Sequence, residues 1–430
     1  MINQNRWIYH ADCNGFFASV EETFHPEYKK VPMAVAGDPE NRHGIILAKN
    51  EMAKKYNIKT AETIWSAKKK CPELLLCPPR RHAYSDFCER VNAIYEQYSD
   101  MVERFGIDES FIDVTGSLHL FGGEQRDAAP NCAARPTNLD VAVNLAHEIR
   151  ERVAKEIGIT ISIGVSWNKI YAKLGSDLKK PNAVSIISRE NYKEVAWPLP
   201  VSDLFLVGRN TTESLHKYGI HTIGQLAIAD ETFLLQKFGK MGEQLHIYAN
   251  GLDDSPVMRN GEHDPVKSVG NGMTFKRNLI TKRDIQTGVI ALADSVARRM
   301  RRADVKCNTI QVTIKDTNLK SIQRQKPIRP TYLAADIEKT AMEIIEASWK
   351  IGAPIRMITI TAQNLVPAEQ AAEQISLFDT SMQDEKTKKV EQLEKTVDEI
   401  RGRFGKHSIQ PGVIIKNDLG ISDHDASEDE

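Results

Sequence analysis

The sequence predicts an α/β protein of the α+β kind, built from several domains rather than one sheet or one bundle. Three observations lead there. Strand-like and helix-like hydrophobic periodicities alternate through roughly the first 190 residues. A stretch of short helical patterns punctuated by glycine follows, to about Pro256. Strand-like runs and longer helices then resume behind a polar segment, Arg259–Pro265 (RNGEHDP), that reads as a linker.

Taken in order, Trp7–Ala11 is an apolar strand-like run, Phe16–Glu22 begins a helix and Ile45–Ala48 is a second short strand. Met101–Phe105 and Ser110–Val114 read as strands joined by Gly106-Ile107-Asp108-Glu109, which is hairpin spacing with acidic residues at the tip. Glu124–Asn138 carries two prolines and no periodicity, so an exposed loop is expected. Ala146, Ile149, Val153 and Ile157 recur at helical spacing, and Ile159, Ile161, Ile163 and Val165 alternate as in a half-buried strand. Strand, hairpin, helix and strand together predict a ferredoxin-like β-α-β-type sheet. Gly208, Gly219, Gly224, Gly239, Gly242 and Gly251 break residues 190–256 into compact helix-turn-helix pairs, a separate small helical domain. In the second α/β unit, strands are expected at Thr309–Ile314 and Arg356–Thr361, and helices at Ile285–Arg302 and Asp336–Ile351. One Lys/Glu-rich helix, Asp384–Ile400, precedes a charged terminus expected to be disordered.

At 430 residues, 41% hydrophobic and 27% charged, the chain is long enough for two to four cores. Nothing approaches the roughly 18 uncharged apolar residues of a membrane span, and Asp12, Glu21 and Glu22 interrupt any leader-like segment, so a cytoplasmic protein with no membrane partner is expected. The six cysteines (13, 71, 77, 88, 132 and 307) show no C-x-x-C pairing and are expected to be reduced thiols. The net charge of −1 conceals an asymmetry: 8 Lys/Arg against 15 Asp/Glu from Val366 onward, but 15 Lys/Arg against 4 Asp in Lys267–Pro330. The basic stretch, which includes Arg298, Arg299, Arg301 and Arg302, suits a nucleic-acid phosphate backbone as well as it suits a solvated face.

Asp12 ends an apolar strand, and Asp108-Glu109 closes a hairpin. If these strands are neighbours, three carboxylates converge. Such crowding is tolerated with raised pKa values or with bound divalent cations, and two Mg²⁺ ions roughly 3.5–4 Å apart would serve in-line phosphoryl transfer. Exposed turn acids are the alternative.

The strings HADCNGFFASVEE (10–22), GIDESFIDVTG (106–116) and GVSWNKIYAKLGSDLKKPNA (164–183) resemble, in order and separation, the catalytic blocks of Y-family DNA polymerases of the DNA polymerase IV type, over about residues 6–366. The resemblance implies a palm (1–16 and 83–187), fingers (17–82), a helix-hairpin-helix thumb (188–258), a linker (259–266), a little finger (267–366) and a tail (367–430). It implies Asp12, Asp108 and Glu109 as catalytic carboxylates and metal ligands, with the Cys13 backbone carbonyl as a further ligand. Phe17 becomes the steric gate against a 2′-hydroxyl, beside Phe16, and Lys180 the triphosphate-binding lysine. Where relatives carry Tyr and Arg on the fingers helix, AKNEMAKKYNI (48–58) places Glu51 and Lys54; Lys54 retains charge without the planar fork of Arg. Gly208 and Gly242 fall in hairpin turns that bind DNA phosphates, with Leu206 where Gly is usual. Gln374, Leu377 and Phe378 of QISLF resemble a sliding-clamp-binding peptide. The implied activity is error-prone, template-directed DNA synthesis by a monomer on primer-template DNA, from deoxynucleoside triphosphates. A nucleotidyl cyclase, or a non-catalytic DNA-binding scaffold of the same fold, are the alternatives.

Overall fold

The computed structural model describes residues 6–38, 44–121, 137–262, 265–370, 381–415 and 417–421, with side chains of 381–387 outside that description. These residues fall into two compact units divided in sequence at His263 and Asp264.

The first unit contains strands β1 (Ile8–Cys13), β2 (Met33–Ala36), β3 (Ile46–Lys49), β4 (Leu75–Cys77), β5 (Val102–Arg104), β6 (Glu109–Asp113), β7 (Ile161–Ser166) and β8 (Val184–Ile186). Its main sheet has the order β5-β6-β1-β7-β8, with β1 central and antiparallel to both neighbours. The four strands β5, β6, β1 and β7, with the helices Arg81–Tyr95 and Asn138–Glu156, make the predicted ferredoxin-like unit, extended by β8 at one edge. Tyr9, Ala11 and Cys13 pack with Phe87, Val91, Leu145 and Ile149 on one face of this sheet.

Both faces are in fact covered. Every residue of β7 is buried, in place of the expected half-buried alternation, because the helix Lys169–Leu178 lies directly on the second face. Gly164 permits that approach: a Cβ there would stand 1.9 Å from the Ala172 carbonyl oxygen. The hairpin also differs slightly from expectation, since Glu109 opens β6 and pairs across to Asp12 instead of sitting in the turn.

β3-β2-β4 form a small separate sheet. The helices Arg209–Lys217, Ile223–Ile228, Glu231–Phe238 and Lys240–Ala249 form the predicted helical region around Leu215, Leu226, Leu234 and Leu245. Its end is fastened to the sheet-covering helix: Trp167 Nε1 donates to the Gly251 carbonyl at 3.0 Å and Tyr171 Oη to that of Ala249 at 2.7 Å.

The second unit is a four-stranded antiparallel sheet of β9 (Ser268–Leu279), β10 (Val305–Asp316), β11 (Ser321–Thr331) and β12 (Ile355–Pro367), in the order β11-β10-β12-β9. The helices Lys282–Arg302 and Ala334–Ser348 cover its apolar side. β9 and β11 are absent from the sequence reading. β9 carries Gly270, Asn271 and Gly272, and β11 is an exposed edge strand with Pro327 and Pro330, both of which suppress a strand signal.

The acidic tail is a correction too. After the helix Ser381–Phe404, the part of the terminus up to Ile421 returns to the unit, burying Ile414, Leu419 and Ile421 in its core, while residues 422–430 lie outside the described residues. Among the described residues no helix is long and apolar enough to cross a membrane, and Cys13, Cys71, Cys77, Cys88 and Cys307 are unpaired buried thiols.

Candidate active site

The central strand delivers the first carboxylate. Alternation along β1 sends Tyr9, Ala11 and Cys13 into the core and leaves His10 and Asp12 on the face that carries the helix Lys169–Leu178. Asp12 lies opposite Glu109 in the register of β1 and β6, and the Cys13 amide donates to the Asp108 carbonyl at 2.9 Å. The three predicted carboxyl residues are therefore gathered at one end of the sheet.

Their charges are balanced unequally. Burial pushes the Asp12 carboxyl up to about 6, against the pull of Lys180, whose Nζ lies 2.8 Å from Asp12 Oδ1. Burial, and then the neighbouring Glu109, also raise Asp108. Glu109 goes the other way, down to about 2, held by the His10 imidazole at 3.6 Å and the Lys173 ammonium at 2.7 Å. His10 itself is lowered by burial, which leaves it neutral near pH 7, with Nδ1 2.8 Å from Ser176 Oγ. Lys173 is thus the nearest fixed cation to the third carboxylate.

Lys180 reaches Asp12 because the loop before β8 is tied to the end of β1. Asn14 accepts from the Asn182 amide at 2.8 Å and donates to Ser162 Oγ at 3.0 Å. Lys180 also contacts Asp177 at 2.8 Å.

Phe16 and Phe17 open the helix Phe16–Phe24 but have different fates. Phe16 is 3% exposed, and its ring belongs to the core instead of an open surface. Phe17 is half-buried and stacks on Tyr84, with ring centroids 4.2 Å apart and planes 10° from parallel. Tyr84 is fixed behind it by a 2.8 Å hydrogen bond to the buried Glu21, which Arg80 neutralises.

On the short helix Glu51–Lys54 that follows β3, Lys54 is paired with Glu51, so the predicted phosphate cation is held by the neighbouring acid. In the helical region, Gly208 caps the helix Arg209–Lys217 in an open position. Leu206 occupies the left-handed region, φ 68°, which explains why Gly is usual there. Gly242 is a packing glycine instead of an open phosphate contact: it is buried, its amide bonds the Gly239 carbonyl, and a Cβ would stand 2.2 Å from the Leu234 oxygen.

The arginine row divides as well. Arg301 is 6% exposed on its side chain and enclosed by Glu394 and Asp398 of the tail helix, so its charge is already met within the unit. Arg299 donates to the Gly270 carbonyl at 2.8 Å while remaining exposed, Arg302 is exposed and Arg298 is half-buried. Gln374, Leu377 and Phe378 lie outside the described residues.

The sequence reading missed His10 and Lys173. His10 stands two residues before Asp12, hence on the same strand face, and Lys173 stands four residues after Lys169 in the motif block that also holds Lys180. Those spacings were the available signal.

Among the described residues no three His, Cys, Asp or Glu side chains form a finished metal cage. Asp12 and Glu109 are turned to lysines instead. The donor set remains carboxylate oxygen, the kind Mg²⁺ prefers, and the Cys13 thiol is buried in the core.

Family models match both parts of the chain: the impB/mucB/samB family at residues 11–177, and its C-terminal domain at 266–377. DNA polymerase IV of Acetivibrio thermocellus is 41% identical over 418 residues, 97% of this chain and 99% of that protein. DNA polymerase IV of Clostridium kluyveri is 34% identical, over 96% and 99% respectively. DNA polymerase IV 1 of Bacillus subtilis is 32% identical, over 97% and 95%. A solved Y-family DNA polymerase chimera of Dbh and Dpo4 shares the fold, with a TM-score of 0.69 at 22% identity, covering 84% of this chain and 99% of that one. With two family models matched and near full-length relatives at this identity, the chain belongs to the impB/mucB/samB family of Y-family DNA polymerases.

Proposed function

We propose that Asp12, Asp108 and Glu109 are the catalytic carboxylates of this translesion DNA polymerase, holding two Mg²⁺ ions while a primer is extended from deoxynucleoside triphosphates. The observation that carries this reading is the Asp12–Glu109 register, which places Asp108 beside both on the exposed end of a buried sheet. Held there by these carboxylates and the Cys13 backbone carbonyl, the ions would supply positive charge that favours ionisation of the primer 3′-hydroxyl and offsets the negative charge of the leaving pyrophosphate.

The chain's own residues do the rest. Lys180 exchanges Asp12 for the triphosphate, since an ammonium already 2.8 Å from that carboxylate is within reach of phosphates bound beside it. Lys173 keeps Glu109 ionised and oriented. Phe17, backed by Tyr84, bars a 2′-hydroxyl by overlap. Lys54 adds phosphate charge once released from Glu51. The helix start at Gly208, together with Arg298, Arg299 and Arg302, meets DNA phosphates without reading sequence. Residues 1–16 and 83–187 serve as palm, 17–82 as fingers, 188–258 as thumb, 259–266 as linker and 267–366 as little finger.

The enzyme works as a cytoplasmic monomer whose Gln374, Leu377 and Phe378 engage a sliding clamp. That tether raises the effective concentration of the catalytic units at the primer end. A labelled primer-template, Mg²⁺ and single deoxynucleotides test the central reading: the wild type extends the primer and Asp108→Ala does not. Extension by both removes the carboxylate assignment. For the clamp, Leu377→Ala with Phe378→Ala abolishes clamp-stimulated synthesis and spares clamp-free extension; unchanged clamp affinity defeats that part.

A further inference from the structure

Residues 49–70 hold seven lysines and two glutamates. Both glutamates are already neutralised within the segment, Glu51 by Lys54 and Glu62 by Lys70. The surplus is carried by exposed lysines, among them Lys55, Lys59, Lys68 and Lys69. In their midst, on the helix Ile64–Lys70, Trp65 is 68% exposed, the most solvent-open aromatic ring but for Phe404 among the large hydrophobic residues described. Lys69 Nζ lies 3.7 Å from its ring centroid. The exposed indole contributes nothing to the core of the small sheet, which is completed without it by Ile46, Ile58, Ile64 and Ala67.

We propose that Trp65, flanked by Lys68 and Lys69, is a stacking platform for unpaired template bases ahead of the primer end. A flat ring inside a cationic surface suits single-stranded DNA, because unpaired bases offer their faces to the ring and the adjacent phosphates meet the ammonium groups. Duplex DNA is a poor match, its base faces being occupied by stacking. The position agrees. Thr63 bridges Ile45, and the Ile64 amide donates to the Gly44 carbonyl at 3.0 Å, so the helix begins at the start of β3. The other end of β3, Lys49, reaches the active site, its carbonyl 3.1 Å from where a Gly15 Cβ would stand. The platform's anchor at Ile45 is therefore roughly 13 Å along the chain from Lys49, the end beside the carboxylates, at about 3.3 Å per residue. A template strand running past the carboxylates comes within reach of the ring.

This inference rests on the polymerase reading, and its test separates the two. Primer-templates with identical duplexes and template overhangs of either one or ten nucleotides are titrated against wild type, Trp65→Ala, Trp65→Phe and Lys68→Glu with Lys69→Glu, following anisotropy and tryptophan emission. The wild type binds the long overhang about fivefold or more tighter, with quenched emission. Trp65→Ala loses that advantage and the quench, the lysine double variant loses the advantage, and Trp65→Phe keeps part of it. In all three variants, short-overhang affinity and single-nucleotide insertion remain at wild-type level. Equal affinity of the wild type for both overhangs, or an undiminished advantage in Trp65→Ala, overturns the platform while extension persists. Failure of the wild type to extend any primer defeats the polymerase reading itself.

Discussion

Lys180 donates a 2.8 Å charged hydrogen bond to Asp12, placing a side-chain cation on the buried carboxylate of the central strand. Glu109, directly across the sheet, has its own cation in Lys173 at 2.7 Å. The site thus stores negative charge by distributing it between two lysines of one motif block. Replacing any of Asp12, Asp108 or Glu109 by Ala is expected to lower primer extension by at least 100-fold while changing DNA affinity less than about threefold, since affinity comes mainly from phosphate contacts elsewhere. Parallel extension and anisotropy assays check it; equal losses in both would move these residues from chemistry to binding.

The opposite shifts of two neighbouring acids predict opposite stability effects in chelator. Asp12 binds its proton more tightly in the folded state, about 6 against 3.8, so its contribution falls as pH rises through that window and its ionised form costs stability above it. Glu109 binds its proton less tightly folded, about 2 against 4.5; its contribution is present above 4.5 and lost as pH falls toward 2. At pH 8, Asp12→Asn should therefore raise, and Glu109→Gln lower, the free energy of unfolding by on the order of 1–3 kcal/mol. Denaturant titrations at pH 8 and pH 5 read both signs, and shifts in the same direction would refute the charge distribution.

Phe17→Ala should cut discrimination between deoxy- and ribonucleotides by at least tenfold, as single-nucleotide kcat/KM ratios. Phe16→Leu should leave the ratio unchanged and cost about 1 kcal/mol of stability, because its ring lies in the core. Unaltered selectivity in Phe17→Ala would make the ring on Tyr84 a packing element only.

The helical region should answer two substitutions in opposite ways. Leu206→Gly relieves a left-handed backbone and is expected to stabilise by about 1 kcal/mol, while Gly242→Ala, with its Cβ at 2.2 Å from a carbonyl oxygen, should cost more than about 2 kcal/mol. Thermal melts distinguish them. No loss in Gly242→Ala would mean the two helices separate easily.

Arg301 and Arg302 provide a paired test of the basic stretch. Arg302→Ala should lessen the salt dependence of DNA binding by roughly one charge, whereas Arg301→Ala should leave it unchanged and destabilise the second unit by about 3 kcal/mol through the stranded Glu394 and Asp398. A reduced salt slope in Arg301→Ala would place that guanidinium on the DNA after all.

By itself the sequence determined the fold class and the place of most elements, and it marked Asp12, Asp108 and Glu109 as a set that converges if their strands are neighbours, because strand alternation and motif order are local and survive in one dimension; that β1 and β6 are neighbours came from the structure. It also marked Phe17 and Lys180. Tertiary structure alone decided what covers each face: that β7 is buried on both sides, that Phe16 belongs to the core and that Gly242 serves packing. It also brought Lys173 to Glu109, enclosed Arg301 and returned Ile414, Leu419 and Ile421 to the core of the second unit. The physical reason is the same throughout. Side-chain type and spacing fix which way a residue points along its own element, but burial and ion pairing depend on which distant element lies opposite, and no local pattern records that.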